Sequence, residues 1–246
     1  MNEKVKIWVE RFVVGDFWRK PLVGFCDAED VEKLKKDIPN HLMPDEILKS
    51  AKSVIVYFIP FTRNVVRSNV GGIFSSKLWA RAYVETNELI VSLNDFISRK
   101  LENLGYASAT IPPTHNFDEV ELLSDWSHKH IAYLAGLGTF GMHTLIITEK
   151  GCCGRLGSLV TSAVFEYGEP LREEFCLHKR GLKCLKCVKR CVFGALTESG
   201  LNKRRCYEVL LENDRFHSDL PLTDVCGKCC CGVPCDLRKP DGAAEI

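Results

Sequence analysis

Ten of the thirteen cysteines in this 246-residue chain fall between Cys176 and Cys235. The first set is Cys176, Cys184, Cys187 and Cys191, whose last three members form C-x2-C-x3-C. The second is Cys206, then Cys226, Cys229, Cys230, Cys231 and Cys235. Short spacers of this kind let one turn of chain present thiolates to several corners of an iron–sulfur cubane, the last cysteine pointing away to another cluster. An odd total, with no secretory leader at the start of the sequence, argues against a disulfide framework. The bland alternative is structural zinc, because C-x2-C knuckles also build zinc sites. The additional C-x3-C arm favours iron–sulfur chemistry.

Two such sets suggest the interleaved wiring of a two-cluster ferredoxin, with two [4Fe-4S] clusters. One takes Cys176, Cys184, Cys187 and Cys235, and the other Cys191, Cys206, Cys226 and Cys229. The sequence departs from the usual run in two ways: seven residues separate Cys176 from Cys184, and Val192 stands where a proline is usual. Cys230 and Cys231 compete with Cys229 for ligand roles. Basic residues crowd the same stretch: Lys179, Arg180, Lys183, Lys186, Lys189, Arg190, Lys203, Arg204 and Arg205, against Glu198 alone. They offset the negative charge of thiolate-ligated clusters and suit an acidic electron donor such as a ferredoxin or flavodoxin. The bland alternative is a solvated basic face. Without interleaved aromatics, a nucleic-acid site is the weaker reading.

Outside the cysteine sets, Asp125, His128 and His130 gather where a helix is expected to begin. They are candidates for a proton donor or metal ligand, with capping and ordinary polar roles as the alternative. Asp125 and His128 are the candidate catalytic pair. Tyr83 and Asn87, one helical turn apart, are candidates to face a common cleft. Cys152 and Cys153, beside Arg155 in Gly151–Gly157, form either a reactive thiol pair or a buried turn. That loop is no phosphate loop, since the Lys-Ser/Thr ending is missing. Cys26 reads as a buried small residue.

The elements that must position these residues alternate. Ser53–Ile59 reads as a buried strand stopped by Pro60, and Lys77–Leu104 as a long helix ended by Gly105. Tyr106–Ile111, Met142–Thr148 and Ser158–Phe165 read as strands. Ser124 is the expected cap of a helix running to Leu134, and Ala28–Lys36 a short helix. Phe61–Ser76 reads as loop. The expected fold class is α/β (α+β), with a mixed sheet and flanking helices over 1–167. A small ferredoxin-like domain follows over 168–246, the boundary lying near Gly168. Hydrophobic residues make up 46%, enough for a sizeable core, and the net charge of +1 gives no global sign of nucleic-acid or membrane binding. No run approaches the length of a membrane span. A cytoplasmic protein, of the kind an anaerobe uses to handle electrons, is expected.

Together these residues resemble the epoxyqueuosine reductase and reductive dehalogenase superfamily. The resemblance is carried by Ser50–Phe61 (SAKSVIVYFIPF), His130–Thr148 with its AGLG, and Arg205-Cys206 followed by the later cysteines. It extends over most of Ser50–Leu237 and points to a short branch with DWSHKHIAYLAGLGTFG and ITEKGCCGR. It implies a reductase in which two [4Fe-4S] clusters pass electrons to cobalamin or a small substrate in the N-terminal domain. Ala135, Gly136, Gly138 and Gly141 would then lie against the cofactor; a helix C-cap and a tight turn are the alternative for Gly136 and Gly138. The sequence departs from the family's D-T-x-P motif, having Leu122–Ser127 (LLSDWS) there, with Asp125 near but out of register. The helical repeats of the tRNA enzyme are missing as well. Both departures weaken a tRNA substrate. The competing function is a non-catalytic two-cluster electron carrier.

Overall fold

The computed structural model describes residues 1–36 and 38–242. Its centre is β2 (Ser53–Pro60), every residue of which is buried. The run SVIVYFIP is β-branched and aromatic throughout, as a strand covered on both faces requires. It pairs with β1 (Leu22–Asp27) on one side and β6 (Gly154–Thr161) on the other, and β6 carries the short edge strand β3 (Ser108–Thr110). The order is β1-β2-β6-β3. The fold class is the α+β arrangement expected, except that the sheet is antiparallel at every ladder and not mixed.

Alternate residues of β2 serve two cores. Ile55, Tyr57 and Ile59 face α1 (Asn2–Phe12) and α3 (Lys77–Glu102), where Ile90, Leu93, Ile97 and Leu101 recur at helical spacing and are fully buried. Val54 and Val56 face α4 (His128–Leu134), with Ile131, Ala132 and Leu134. Ser76 caps α3 by accepting from the Trp79 backbone amide. The Tyr57 hydroxyl, buried between sheet and helix, donates to Asn94 Oδ1 at 2.9 Å, so its burial leaves no donor unmet.

Several boundaries differ from those expected. Ser124 does not cap a helix. It pairs with Phe117 in a two-residue ladder, and α4 begins four residues later with Ser127 at the cap position. The strand expected over Ser158–Phe165 starts earlier, at Gly154, because backbone pairing with β2 draws in the glycine-rich GRLG. Phe61–Ser76 holds a short helix, α2 (Arg63–Ser68). Ala28–Lys36 is 3-10 helix from Glu29. The strand expected over Met142–Thr148 shrinks to β5 (Ile146–Thr148), paired with β4 (Gly138–Phe140).

The cysteine-rich segment packs directly against this body. It contains α5 (Lys186–Arg190), a two-residue hairpin at Leu196–Thr197 and Gly200–Leu201, α6 (Lys203–Phe216) and a 3-10 turn at Lys228–Cys230. Phe61, Val65, Val66 and Trp79 from the first part share one apolar cluster with Phe175, Cys176, Cys230 and Cys231 from the second. Arg19 staples the seam, donating to the carbonyls of Phe61, Leu237 and Lys150 at 2.8, 3.0 and 2.6 Å. Among the described residues no helix is long and apolar enough to cross a membrane.

Candidate active site at the cysteine seam

The cysteines assigned from spacing gather in two neighbourhoods. Burial pushes the Cys187 thiol up to about 11, and thiolate charge on Cys176 and Cys184 adds to the shift. Burial also raises Cys206, with Cys191 beside it, and lifts Cys226 to about 11, with Cys206 and Cys191 contributing. Cys229 is raised well above the ordinary thiol value by burial, then by Cys230, Cys226 and Cys206. Burial alone keeps such thiols protonated at neutral pH, so a bound metal ion would have to displace their protons. Cys235 stands at the edge of the first neighbourhood. It packs in a small cluster with Cys187 that also holds Cys191 and Cys229, and its Sγ lies 3.4 Å from His143 Nε2, with Cys152 in the same group.

Backbone geometry explains part of this convergence. Gly227, inside C-x2-C, has φ +69°, and a Cβ there would meet the Trp79 indole at 2.4 Å. Only glycine takes this turn under that ring. Across the seam, Cys152 N donates to Cys235 O at 2.8 Å and Cys153 N to Asp236 O at 3.1 Å, so the GCCG loop and the last cysteine form a short backbone ladder. Gly151 permits it: a Cβ at that position would sit 2.4 Å from Asp236 O.

A cavity of about 380 Å³ opens between the sheet and the second neighbourhood. Cys191, Cys206, Cys226 and Cys229 line one wall, and Trp79, Tyr83 and Arg155 the other. The Tyr83 hydroxyl donates to Asp224 Oδ1 at 2.7 Å, and the Arg155 guanidinium lies 4.4 Å from the Tyr83 ring centroid. Arg155 Nη2 donates to Asn87 Oδ1 at 2.7 Å and to Pro113 O at 3.1 Å. His115 Nε2 lies 3.4 Å from the other Asp224 oxygen. Burial raises the Tyr83 phenol and Asp224 adds to it, while the Arg155 charge opposes them. Two buried donors at this wall, Arg155 Nε and Trp79 Nε1, have no protein partner. Thus Tyr83 lines the cavity and Asn87 acts on it through Arg155. Asp224 had no motif to reveal it; only the tertiary fold brings it to Tyr83.

A second cavity of about 290 Å³ adjoins the first, sharing Thr114, Phe117, Leu145, Cys152, Gly154 and Arg155. His128 lines it, fully engaged. Its Nε2 lies 2.9 Å from Pro112 O, an obligate acceptor, so that nitrogen carries the proton. Its Nδ1 accepts from Ser158 Oγ at 2.8 Å, and Ser158 Oγ accepts from Trp126 Nε1 at 3.0 Å. Desolvation pushes the imidazole down to about 4. His128 is therefore neutral at pH 7, with both nitrogens committed to the fold. Asp125 is exposed, and its backbone ties to Asn116 and Leu42.

The AGLG segment is close-packed against protein backbone. A Cβ on Gly136 would sit 2.5 Å from Glu169 O, and one on Gly138 2.0 Å from Ile147 O across the β4–β5 ladder. A Cβ on Gly141 would strike the His143 ring at 2.5 Å, and Ala135 is buried in the core around α4. None of these four residues lines either cavity.

Epoxyqueuosine reductases of Bacillus subtilis and Listeria monocytogenes are 25% and 26% identical, aligned over 88% and 78% of this chain. The chain spans 60% and 51% of their lengths. An epoxyqueuosine reductase solved with an epoxyqueuosine-modified tRNA stem loop superposes with TM-score 0.60 at 19% identity, covering 99% of this chain and 70% of that one. A catabolic reductive dehalogenase superposes with TM-score 0.62 at 14% identity, covering 89% of this chain and 30% of that one. No family model matches the sequence. With sequence similarity and fold similarity both extending over most of the chain, it is a distant homologue of the epoxyqueuosine reductases and shares its fold with the reductive dehalogenase.

Proposed function

We propose that this protein is an iron–sulfur reductase that delivers single electrons from two [4Fe-4S] clusters to a small substrate held between Tyr83, Arg155 and the second cysteine neighbourhood. One observation carries this reading: the four cysteines assigned to one cluster wall the same cavity as a buried phenol and a guanidinium. The donor set fits the clusters, being all thiol, convergent and at least half-buried among basic residues. Arg155 Nε and Trp79 Nε1 supply two unmet donors for an acceptor atom on the substrate, and Tyr83 Oη, which lines the same cavity, holds a transferable proton. The low-dielectric walls keep that proton on the phenol until charge builds on the substrate.

Cobalamin is the second reading, because the two cavities adjoin and share six lining residues, giving a flat ligand a continuous bed. Arg155, Thr114 and Leu145 are among the residues that would hold it, and it would supply a reducible cobalt. A related structure bears on B12-dependent dehalogenation. Cobalamin titration, read in the corrinoid spectrum, separates these readings. A shift lost in Arg155→Ala supports the corrinoid. No shift leaves the small substrate or the electron carrier.

Protein prepared anaerobically is expected to be brown and to contain about eight iron atoms per chain. Zinc in the cluster cysteines with no iron overturns the proposal. An acidic ferredoxin or flavodoxin is the proposed donor, supported by the exposed Lys179, Arg180, Lys183 and Lys189 beside the clusters.

A further inference from the structure

Subtracting the eight proposed cluster ligands from thirteen cysteines leaves Cys26, Cys152, Cys153, Cys230 and Cys231. Cys26 lies apart, in the core facing α4. The other four meet, although two come from the GCCG loop entering β6 and two from the 3-10 turn far along the chain. They are 5%, 0%, 3% and 0% exposed, in sequence order. The sulfurs of Cys153, Cys230 and Cys231 all lie within 4.8 Å of one another, and those of Cys153 and Cys231 are 3.9 Å apart. The Cys152 Sγ lies 3.9 Å from the Cys230 carbonyl oxygen at the edge of this trio, and on its other side it meets His143 and Cys235.

Four sulfurs placed tetrahedrally at about 2.3 Å from a zinc ion stand about 3.8 Å from each other. A cubane holds its thiolates farther apart, and a disulfide brings its sulfurs to about 2.05 Å. The 3.9 Å between the Cys153 and Cys231 sulfurs, with Cys230 within 4.8 Å of both, is the spacing of ligands around a single soft ion. The surroundings match a negative centre. Lys228 is 1% exposed, and its ammonium donates to Asn69 O, Asn69 Oδ1 and Gly71 O. No carboxylate among the described residues pairs with it, yet a buried cation calls for a counter-charge. Thiolate charge on Cys231 attracts Lys228, and charge on Cys153 attracts Arg19. Asn69 Nδ2 reaches Cys231 Sγ at 3.6 Å, a hydrogen bond of the kind that orients a ligating sulfur.

We infer that Cys152, Cys153, Cys230 and Cys231 bind one structural zinc ion, separate from the clusters, that cross-links β6 to the cysteine-rich segment. Four thiolates on Zn²⁺ carry a net charge of about −2, which Lys228 and Arg19 offset. Cys152 and Cys230 also line the larger cavity, so the ion sits directly behind its wall. The inference rests on the division of cysteines used for the proposed function, and on nothing about the substrate.

Anaerobic purification with both iron and zinc supplied, followed by metal analysis, is the test. About one zinc per chain is expected beside the cluster iron. Cys153→Ser with Cys231→Ser should lower zinc at least five-fold while iron content and the paramagnetic signals persist. Because such a variant can fail to fold, zinc-edge absorption of the unmodified protein gives a second measurement. Four sulfurs at about 2.3 Å support the site. Zinc below about a tenth per chain, oxygen-dominated coordination, or iron lost in place of zinc in the double variant each overturns it. An iron-free protein that still holds this zinc overturns the proposed function and leaves the inference standing.

Discussion

At the scale of single residues, burial decides the protonation state of His128. His128 holds its imidazole near 4 because burial penalises the cation and the Arg155 and His41 charges repel it, against the bond to the Pro112 carbonyl, which favours the protonated ring. Its folded pKa lies below the ordinary histidine value. The unfolded chain therefore binds the extra proton between those values, and stability present above about pH 6.5 is lost as pH falls toward 4. Chemical denaturation at pH 7 and pH 5 should differ by about 2 kcal/mol from this residue. His128→Gln should remove that part of the difference, and an unchanged difference would show that His128 is not the buried neutral group. Gly227 provides a second residue-level outcome. Gly227→Ala meets both the left-handed φ and the Trp79 ring, so it should abolish the signal of the cluster proposed on Cys226 and Cys229. The other cluster's paramagnetic signal should survive. Neither His128's commitment nor Gly227's overlying indole is legible from local sequence, since Ser158, Pro112 and Trp79 arrive from distant parts of the chain.

At the scale of elements, what could be read was what local chemistry alone decides. The long helix was legible because Ile90, Leu93, Ile97 and Leu101 repeat at its period, and β2 because its run is β-branched and aromatic. Ile97→Ala should cost about 2–5 kcal/mol, measurable as a shift in the denaturation midpoint, because the cavity would open in the core against β2. Ser124 was misleading because a good cap residue is equally at home in a ladder with Phe117. The basic composition of Lys203–Phe216 hid α6, whose first turn Asn202 caps by accepting from Arg205 N. The cysteine wiring makes an element-level claim of its own. Cys187 lies within the short helix α5 and Cys191 caps its end, yet Cys187→Ser and Cys191→Ser should damage different paramagnetic signals. Loss of one common signal in both would refute the interleaving.

At the scale of the whole molecule, charge is balanced overall but not locally. Exposed Lys179, Arg180, Lys183 and Lys189 surround the cysteine segment while the net charge is only +1. Replacing Lys179, Arg180 and Lys183 with glutamate should slow reduction by an acidic donor about ten-fold at low ionic strength, and the gap should close in high salt. A salt-independent rate would place the docking surface elsewhere. The superfamily was legible from stretches that keep their order along the chain. The cavity was not, because Tyr83, Arg155, Asp224 and Cys226 become neighbours only after the cysteine segment folds back onto the sheet.

That fold-back has a dynamic consequence. The amides of Cys152 and Cys153 are bonded to Cys235 and Asp236, so their hydrogens exchange with solvent only when the seam opens. Amides of Ile55 and Tyr57 at the sheet centre wait instead for the whole protein to unfold. Removing the metals should speed exchange at Cys152 and Cys153 first, turning these two amides into a clock for how long the cysteine-rich segment stays closed over the sheet.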